Sequence, residues 1–313
     1  MRVCYQNDSI KLAVIGDPVA NSLSPLLQNT MIDCLGLNYM YFAQRIPPYQ
    51  LSDWVSASTM LELGGFNATM PHKRSLLPFM ETLSEDARLF GAVNTVVIRK
   101  RECRGYNTDG DGFLRSLAGK DVLPQGLRVV VIGSGAAARS ITLKLARSGV
   151  EELNVCCRNQ SQGEAIKKLN PANIAIRQLD EKEMPKILKR CDLLINCTPI
   201  GMHGNLDRFA DLSMLDDLPD NAVVYDTVYN PAQTALLAAA TARGHQTING
   251  LDMLIHQGIL SLELFADIRI EPASVMQPVR QALMDALRCQ SDSEGTGSSL
   301  TTHLTGAPNS SIL

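Results

Sequence analysis

The sequence lacks an excess of charge of either sign, a paired-cysteine motif and any long apolar run. Its 29 Lys and Arg residues are balanced by 32 Asp and Glu residues, so we expect no polybasic surface for nucleic acid or membrane lipid. The eight cysteines contain no C-x-x-C spacing, which indicates reduced, buried thiols in a cytoplasmic protein. No segment has the length of a membrane span, no signal-peptide pattern opens the chain, and no internal repeat is found. These absences favour a protein of two domains that acts on a small molecule.

What the sequence does contain is a nucleotide-binding pattern. Residues 127–132 form a β-branched run typical of a buried parallel strand, and a G-x-G-x-x-A segment begins directly afterwards at Gly133. Helical spacing then continues to Gly149, and residues 153–157 predict a second strand. Such a βαβ unit presents a helix N-terminus to a pyrophosphate, although an ordinary tight turn is the alternative. The predicted dinucleotide contacts in this turn are Gly133, Ser134, Gly135, Ala136 and Ala137.

The end of the second predicted strand bears on the choice of dinucleotide. NAD-binding proteins of this type usually carry a carboxylate there for the ribose hydroxyls, but no acid lies between Leu153 and Gly163. Arg158 and Asn159 stand there instead, and such donors suit a 2′-phosphate. The pattern therefore favours NADP, with a solvated surface arginine as the alternative interpretation.

Two serines near the N-terminus form a candidate anion site. Ser24 precedes Pro25 at the start of a predicted helix, so capping of that helix would explain it. Ser22 has no such explanation. Two hydroxyls beside the free N–H groups of a helix start are suited to binding a carboxylate.

Lys73 is predicted to lie in the first turn of a helix that follows the strand at 66–68, with Thr69 near the cap. The helix dipole opposes a cation at this end, which favours a functional explanation over a solvated surface lysine.

The loop at 105–113 is rich in oxygen ligands. Its spacing fails as a calcium loop because Ala118 stands where a bidentate Glu is required, so we predict no metal. An Asp-Gly turn in which Asp109 or Asp111 caps the next helix is the simpler interpretation.

Further along, strands predicted at 174–176, 193–197, 223–226 and 247–249 alternate with helical stretches at 181–189 and 233–242. This alternation predicts a doubly wound parallel sheet. Thr198 and Pro199 follow the carboxyl end of a strand, where such sheets bind ligands, and are expected near the nicotinamide; a simple stop at the proline is the alternative.

Taken together, the motifs resemble those of the shikimate dehydrogenase family, which includes quinate/shikimate dehydrogenases. The resemblance extends from Leu12 to Leu287 and rests on 21–25 (NSLSP), 66–73 (FNATMPHK), 92–95 (AVNT), 107–110 (NTDG), 133–140 (GSGAAARS), 196–202 (NCTPIGM), 226–231 (DTVYNP) and 250–258 (GLDMLIHQG).

The resemblance implies NADP-dependent, reversible reduction of 3-dehydroshikimate to shikimate. Under it, Lys73 and Asp109 are the catalytic pair, and Gly250 joins Thr198 and Pro199 at the cofactor. The implied substrate contacts are Ser22, Ser24, Asn67, Thr69, Asn94, Tyr229 and Gln257. Quinate stays open as substrate. NAD stays open as cofactor, because Gln162 stands where the family often has a second basic residue. A homodimer is a further expectation.

The expected organisation is α/β throughout. An N-terminal substrate domain covers residues 1–112, a Rossmann-like nucleotide domain covers 113–249, and helices at 250–288 return to the first domain. A last helix ends near Leu287, and a polar tail at 289–313 is expected to be disordered. A rival function is a sensor that binds nucleotide or shikimate-like acids without turnover, against which the presence of both Lys73 and Asp109 argues.

Overall fold

The computed structural model describes residues 6–170, 173–178, 184–205, 209 and 211–295, with the backbone alone from 290 onward. It contains two α/β domains, each built on a six-stranded sheet. The strands are β1 Ile10–Gly16, β2 Tyr39–Arg45, β3 Gly65–Ala68, β4 Thr82–Leu83, β5 Thr95–Arg99, β6 Glu102–Tyr106, β7 Arg128–Ile132, β8 Glu152–Cys157, β9 Ile174–Gln178, β10 Leu193–Asn196, β11 Val223–Asp226 and β12 Gln246–Asn249. The helices are α1 Ser24–Leu35, α2 Leu51–Met60, α3 His72–Ser75, α4 Glu85–Phe90, α5 Asp109–Ala118, α6 Ala136–Arg147, α7 Gln160–Lys167, α8 Met184–Leu188, α9 Ala235–Ala242, α10 Leu251–Ala266 and α11 Pro272–Gly295.

The first sheet is mixed and has the strand order β2-β1-β3-β5-β6-β4. β1 pairs in parallel with β2 and β3, whereas β5 runs antiparallel to both β3 and β6. The carboxyl ends of β1 and β3 therefore lie side by side. Two segments singled out in the sequence, the serine pair and the short helix with Lys73, start from this edge.

The second sheet is entirely parallel and has the order β12-β11-β10-β7-β8-β9. In order of appearance within the domain this is 6-5-4-1-2-3, the arrangement of the Rossmann fold, so the predicted doubly wound sheet is confirmed. Residues of β7 alternate between two cores: Val129 and Val131 pack on one face, while Val130 and Ile132 pack on the other. Burial on both faces explains why the strand is an unbroken apolar run.

The two C-terminal helices return to the first domain, as predicted. α10 packs against α5 and α1, and α11 packs against α1. Their apolar side chains share one core with the first sheet: Ile259 and Val279 join Leu12, Leu27 and Met31. This core joins β1 and α1 to the two C-terminal helices.

The predicted end of the last helix was wrong. α11 continues to Gly295, past the expected end at Leu287, because neither glycine nor proline interrupts the intervening residues. The rest of the predicted tail, 296–313, lies outside the described residues, as do 181–183 of the helix expected at 181–189. No described helix has the length and apolar character needed to span a membrane.

Candidate active site

The centre of the site is an ion pair between Lys73 and Asp109. The Lys73 Nζ atom lies 2.6 Å from Asp109 Oδ2, and the two side chains are only 18% and 7% exposed. Lys73 comes from α3, directly after β3, and Asp109 is the first residue of α5, directly after β6. The backbone carbonyl of Lys73 accepts a hydrogen bond from Val93 N at 2.7 Å, which fixes the base of the lysine. Sequence and topology thus bring two distant residues into contact at one end of the first sheet.

Two arguments made from the sequence for this pair fail. Neither Asp109 nor Asp111 caps the helix, because the N-cap is Thr108 and its side chain makes no capping bond. The dipole argument for Lys73 does not hold either, since α3 has four residues and its first and last turns coincide. Thr69 lies two residues before the cap of α3, which is Pro71. The pair is instead supported by tertiary contacts.

Asn94 holds the other side of the carboxylate. Its Nδ2 donates to Asp109 Oδ1 at 2.8 Å and to Thr108 Oγ1 at 2.9 Å, while its Oδ1 accepts from Thr108 N at 2.9 Å. Asp109 therefore receives a donor on each oxygen, which fixes the orientation of its carboxylate. Asn94 is 2% exposed, so it lies behind the ion pair rather than at an open surface.

Asn67 lies at the centre of a second buried group of hydrogen bonds. Its Oδ1 accepts from Tyr41 Oη at 2.7 Å, and its Nδ2 lies within bonding distance of Thr95 Oγ1 and Ser261 Oγ, at 2.9 and 3.0 Å. Burial raises the pKa of Tyr41 well above its usual value, so the phenol stays a donor. Four residues of the site were not predicted from the sequence: Tyr41, Thr95, Thr108 and Ser261. Thr95 and Thr108 could have been predicted from the sequence, because they directly follow Asn94 and Asn107 in the family motifs AVNT and NTDG.

The serine pair lies at the start of α1. The N-cap of α1 is Leu23, and Ser24 is the first helical residue, so the expected cap by Ser24 was wrong. Ser22 Oγ instead accepts from Ser24 N at 3.3 Å, and the Ser24 hydroxyl has no hydrogen-bond partner within the described ranges. Both serines are half-buried. A donor pair open to a ligand is therefore present at this helix start.

Three further predicted substrate contacts surround these groups. Thr69 packs so closely on Gly16 that a Cβ there would lie 2.5 Å from its Cγ2. Tyr229, from the loop after β11, packs against the core of the first domain that contains Leu23, and burial raises its pKa. Gln257 donates from Nε2 to the carbonyl of Leu254 at 2.9 Å.

The glycine turn after β7 has the geometry expected for a dinucleotide. Gly133 has a φ of 115°, which favours glycine, and a Cβ on it would lie 3.1 Å from Thr198 Cγ2. Gly135 is the N-cap of α6, and a Cβ there would meet no atom within 4 Å. Nothing in the described chain therefore requires glycine at 135, whereas the approach of a pyrophosphate does.

The neighbouring loops are tied to this turn by a buried carboxylate. Asp226 accepts from Asn196 Nδ2 at 2.9 Å and from Thr234 Oγ1 at 2.7 Å, and burial raises its pKa. Asn196 Oδ1 in turn accepts from Thr198 N and Oγ1, at 3.0 and 2.7 Å, so Thr198 and Pro199 are held beside Gly133. Gly250 belongs to the same edge, because a Cβ on it would lie 2.0 Å from the carbonyl oxygen of Thr227. This backbone approach by itself explains the glycine.

Arg158 and Asn159 follow β8, at the same edge of the sheet. Arg158 is exposed, and its guanidinium contacts no acid in the described part of the chain. Asn159 Oδ1 accepts from Gln162 N at 3.2 Å and caps α7, so only its amide group is left for a ligand. Gln162 Oε1 accepts from Ser134 Oγ at 3.2 Å, which links this turn to the glycine turn.

A Rossmann domain joined to a second domain that carries a half-buried Lys-Asp pair defines a dinucleotide-dependent oxidoreductase. Comparison with known proteins narrows this class. Residues 14–96 match the shikimate dehydrogenase substrate binding domain, and residues 129–211 match the saccharopine dehydrogenase NADP binding domain.

A shikimate dehydrogenase (NADP(+)) of Microcystis aeruginosa is 40% identical over 283 residues, covering 87% of this chain and 96% of its own. A crystal structure of a shikimate dehydrogenase in complex with NADP+ aligns with a TM-score of 0.81 at 30% identity, covering 91% of this chain and 98% of its own. The ligand-free 5-ketofructose reductase of Gluconobacter sp. strain CHM43 aligns with a TM-score of 0.76 at 30% identity, covering 88% of this chain and 99% of its own. The chain belongs to the shikimate dehydrogenase family, which confirms the resemblance found in the sequence.

Proposed function

We propose that the protein catalyses the reversible, NADP-dependent reduction of 3-dehydroshikimate to shikimate. The observation that carries this proposal is the contact of 2.6 Å between Lys73 and Asp109 in a chain of this family. A proton-transfer pair, a donor pair for a carboxylate and a dinucleotide turn are the three parts that the reaction needs. We assign each of them to a separate element of the fold.

The residues around the glycine turn fit the cofactor. The open space at Gly135 and the N-terminus of α6 receive the pyrophosphate, and the unpaired Arg158 receives the 2′-phosphate. Thr198 and Pro199, which are held beside Gly133, would contact the nicotinamide. The bound cofactor supplies the hydride that adds to the carbonyl carbon.

In this mechanism Lys73 handles the proton. As the carbonyl oxygen gains negative charge, the Lys73 ammonium stabilises it and delivers a proton to it, so that hydride and proton together convert the ketone to an alcohol. Asp109 orients the ammonium, and Asn94 fixes the carboxylate from behind. Lysine suits this role better than arginine, which keeps its proton near neutral pH.

The substrate is held by its carboxylate and its ring hydroxyls. Ser22 and Ser24 donate to the carboxylate at the start of α1, where the Ser24 hydroxyl has no partner within the described chain. By the family motifs, Thr69 and Gln257 are assigned to the ring hydroxyls or the carboxylate, and Tyr229 to the wall of the substrate cleft. Asn67 and Asn94 are already hydrogen-bonded within the chain, so they act mainly by positioning their neighbours. The free, mostly buried thiols support a cytoplasmic location.

The proposal is tested by measuring kcat/KM for shikimate, quinate and 5-ketofructose, the first two in the oxidative direction and the third in the reductive one. Each is assayed with the NADP and the NAD form of the cofactor. Shikimate with NADP should give the highest value. Quinate carries one more hydroxyl, which changes affinity only modestly where the pocket offers it no partner. A higher value for quinate or for 5-ketofructose would overturn the substrate assignment, and tight binding of shikimate without turnover would favour the sensor.

A further inference from the structure

Arg139 on α6 is a cation at the junction of the two domains for which the described chain provides no partner. Its guanidinium lies against Gly91, in the turn after α4 of the first domain; the Nη2 atom is 3.2 Å from the place that a Cβ on this glycine would occupy. The Nε atom is buried and makes no hydrogen bond. A buried donor without an acceptor is costly, so this group is suited to an acceptor that comes from outside the chain.

The other two cations on the same helix differ from Arg139. Lys144 Nζ lies 2.7 Å from both Asp86 and Asp111, and Arg147 contacts Glu85 and Asp86. Acids of the first domain therefore pair with Lys144 and Arg147 but leave Arg139 unpaired. The difference shows that the domain contact itself does not need the Arg139 charge.

A second unpaired arginine lies nearby. Arg74 directly follows Lys73, is exposed, and pairs with no acid in the described ranges. Burial, together with the positive charge of Arg74, lowers the pKa of Arg139. Two arginines that repel each other and pair with no described acid form a positive site, and an anion bound between them relieves the repulsion.

The place of Arg139 on α6 indicates the class of anion. Arg139 lies one turn after Gly135, and its backbone N donates to the carbonyl of Gly135 at 2.9 Å. Gly135 is the N-cap with open space around it, which is where the fold places a pyrophosphate.

We propose that Arg139 binds the pyrophosphate of the dinucleotide, with Arg74 adding a second positive charge from the substrate domain. This rests on the cofactor site of the proposed function and deepens it. The pyrophosphate is common to NADP and NAD, so Arg139 strengthens the binding of both. Arg158, in contrast, acts on the 2′-phosphate alone.

The test is the dissociation constant of NADPH and of NADH, measured by calorimetry without substrate. Three variants are compared with the wild type: Arg139→Leu, Arg139→Lys and, as a control that removes a paired cation from the same helix, Arg147→Gln. Arg139→Leu should weaken both cofactors by roughly 10- to 100-fold, the usual loss for a hydrogen bond to a charged group. Arg139→Lys should lose less affinity because it keeps the positive charge. The dissociation constants of Arg147→Gln should stay within about twofold of the wild-type values.

Thermal melting shows that the loss arises from binding. Ligand-free Arg139→Leu should melt no lower than the wild type, because it loses a desolvated, unpaired charge, while the upward shift caused by NADPH should shrink. An effect on NADPH alone would move Arg139 to the 2′-phosphate and overturn the proposal, as would unchanged affinity for both cofactors. If Arg139→Leu does not fold, unchanged affinity in Arg139→Lys and Arg74→Gln together would overturn it. These binding and melting measurements require no turnover. Their outcome therefore does not depend on which substrate the enzyme uses, and the cofactor proposal can be wrong while the substrate assignment is right, or the reverse.

Discussion

Replacing Lys73 by methionine removes the ammonium but keeps most of the side-chain volume. We expect kcat to fall by roughly 10²- to 10⁴-fold, the range for loss of a general acid, while KM for the substrate changes much less. A loss of this size corresponds to about 3–5 kcal/mol in the activation free energy. The assay is the initial rate of NADPH formation from shikimate at saturating cofactor.

The structure also sets the expected size of the effect at Asp109. Its two oxygens receive Asn94 Nδ2 at 2.8 Å and Lys73 Nζ at 2.6 Å. In Asp109→Asn the negative charge is lost, and one of the two oxygens is replaced by an NH2 group that cannot accept a hydrogen bond. In either orientation of the new amide, this NH2 group faces Lys73 Nζ or Asn94 Nδ2. The lysine therefore loses its charge partner and, in one orientation, its hydrogen bond as well. We expect kcat to fall by about 10- to 100-fold.

The two residues act as one unit, so the double variant should resemble Lys73→Met alone instead of showing the product of both losses. Asp111→Asn is the matched control, because Asp111 lies two residues along the same helix but pairs with Lys144. It should change kcat by less than about twofold. The reasoning is refuted if Lys73→Met raises only KM, or if Asp111→Asn costs as much as Asp109→Asn.

Three further predictions concern the second domain. Arg158→Ala should raise KM for NADP by roughly tenfold or more and leave KM for NAD unchanged, and equal losses for the two would contradict the 2′-phosphate assignment. Gly250→Ala should lower the free energy of unfolding by about 1–3 kcal/mol in a denaturant titration, because the new Cβ would lie 2.0 Å from Thr227 O; an unchanged midpoint would show that the backbone yields easily. The Arg128 hydrogen bond lowers the pKa of Asp192, so this carboxylate stabilises the fold above its usual pKa and loses that effect as pH falls through the lowered value. Asp192→Asn should therefore melt lower than the wild type at pH 7, with a difference that shrinks near pH 3; an equal difference at both values would contradict the assignment.

Periodic and local features of this chain were predictable from the sequence. The strand, glycine turn and helix at 128–147 follow from a β-branched run, two glycines and a helical spacing that are adjacent in the chain. The Rossmann order followed from the alternation of strands and helices. Family motifs identified Lys73 and Asp109 as partners, which spacing could not, because the contact joins two helices that follow different strands.

The remaining features depend on tertiary contacts. The partners of Asn67 include Tyr41 and Ser261, which lie far from it along the chain. The short α3 has no periodicity from which its length could be read, and the cap of α5 lies one residue before the expected acid. The unpaired state of Arg139 emerges only when the acids around Lys144 are located in space.

Ser261 completes the hydrogen bonds of Asn67 from a helix made near the end of the chain, and Ile259 and Val279 complete the core around Leu27. During synthesis the first domain must therefore wait for α10 and α11 to leave the ribosome. The nucleotide sheet, from β7 to β12, is continuous in sequence, and its core around Val130 and Ile132 is built from described residues between 130 and 240, so this core can close earlier. The domain that is translated second is thus expected to fold first, and a nascent chain stalled after β12 should resist protease at its glycine turn while its N-terminal half is still cut.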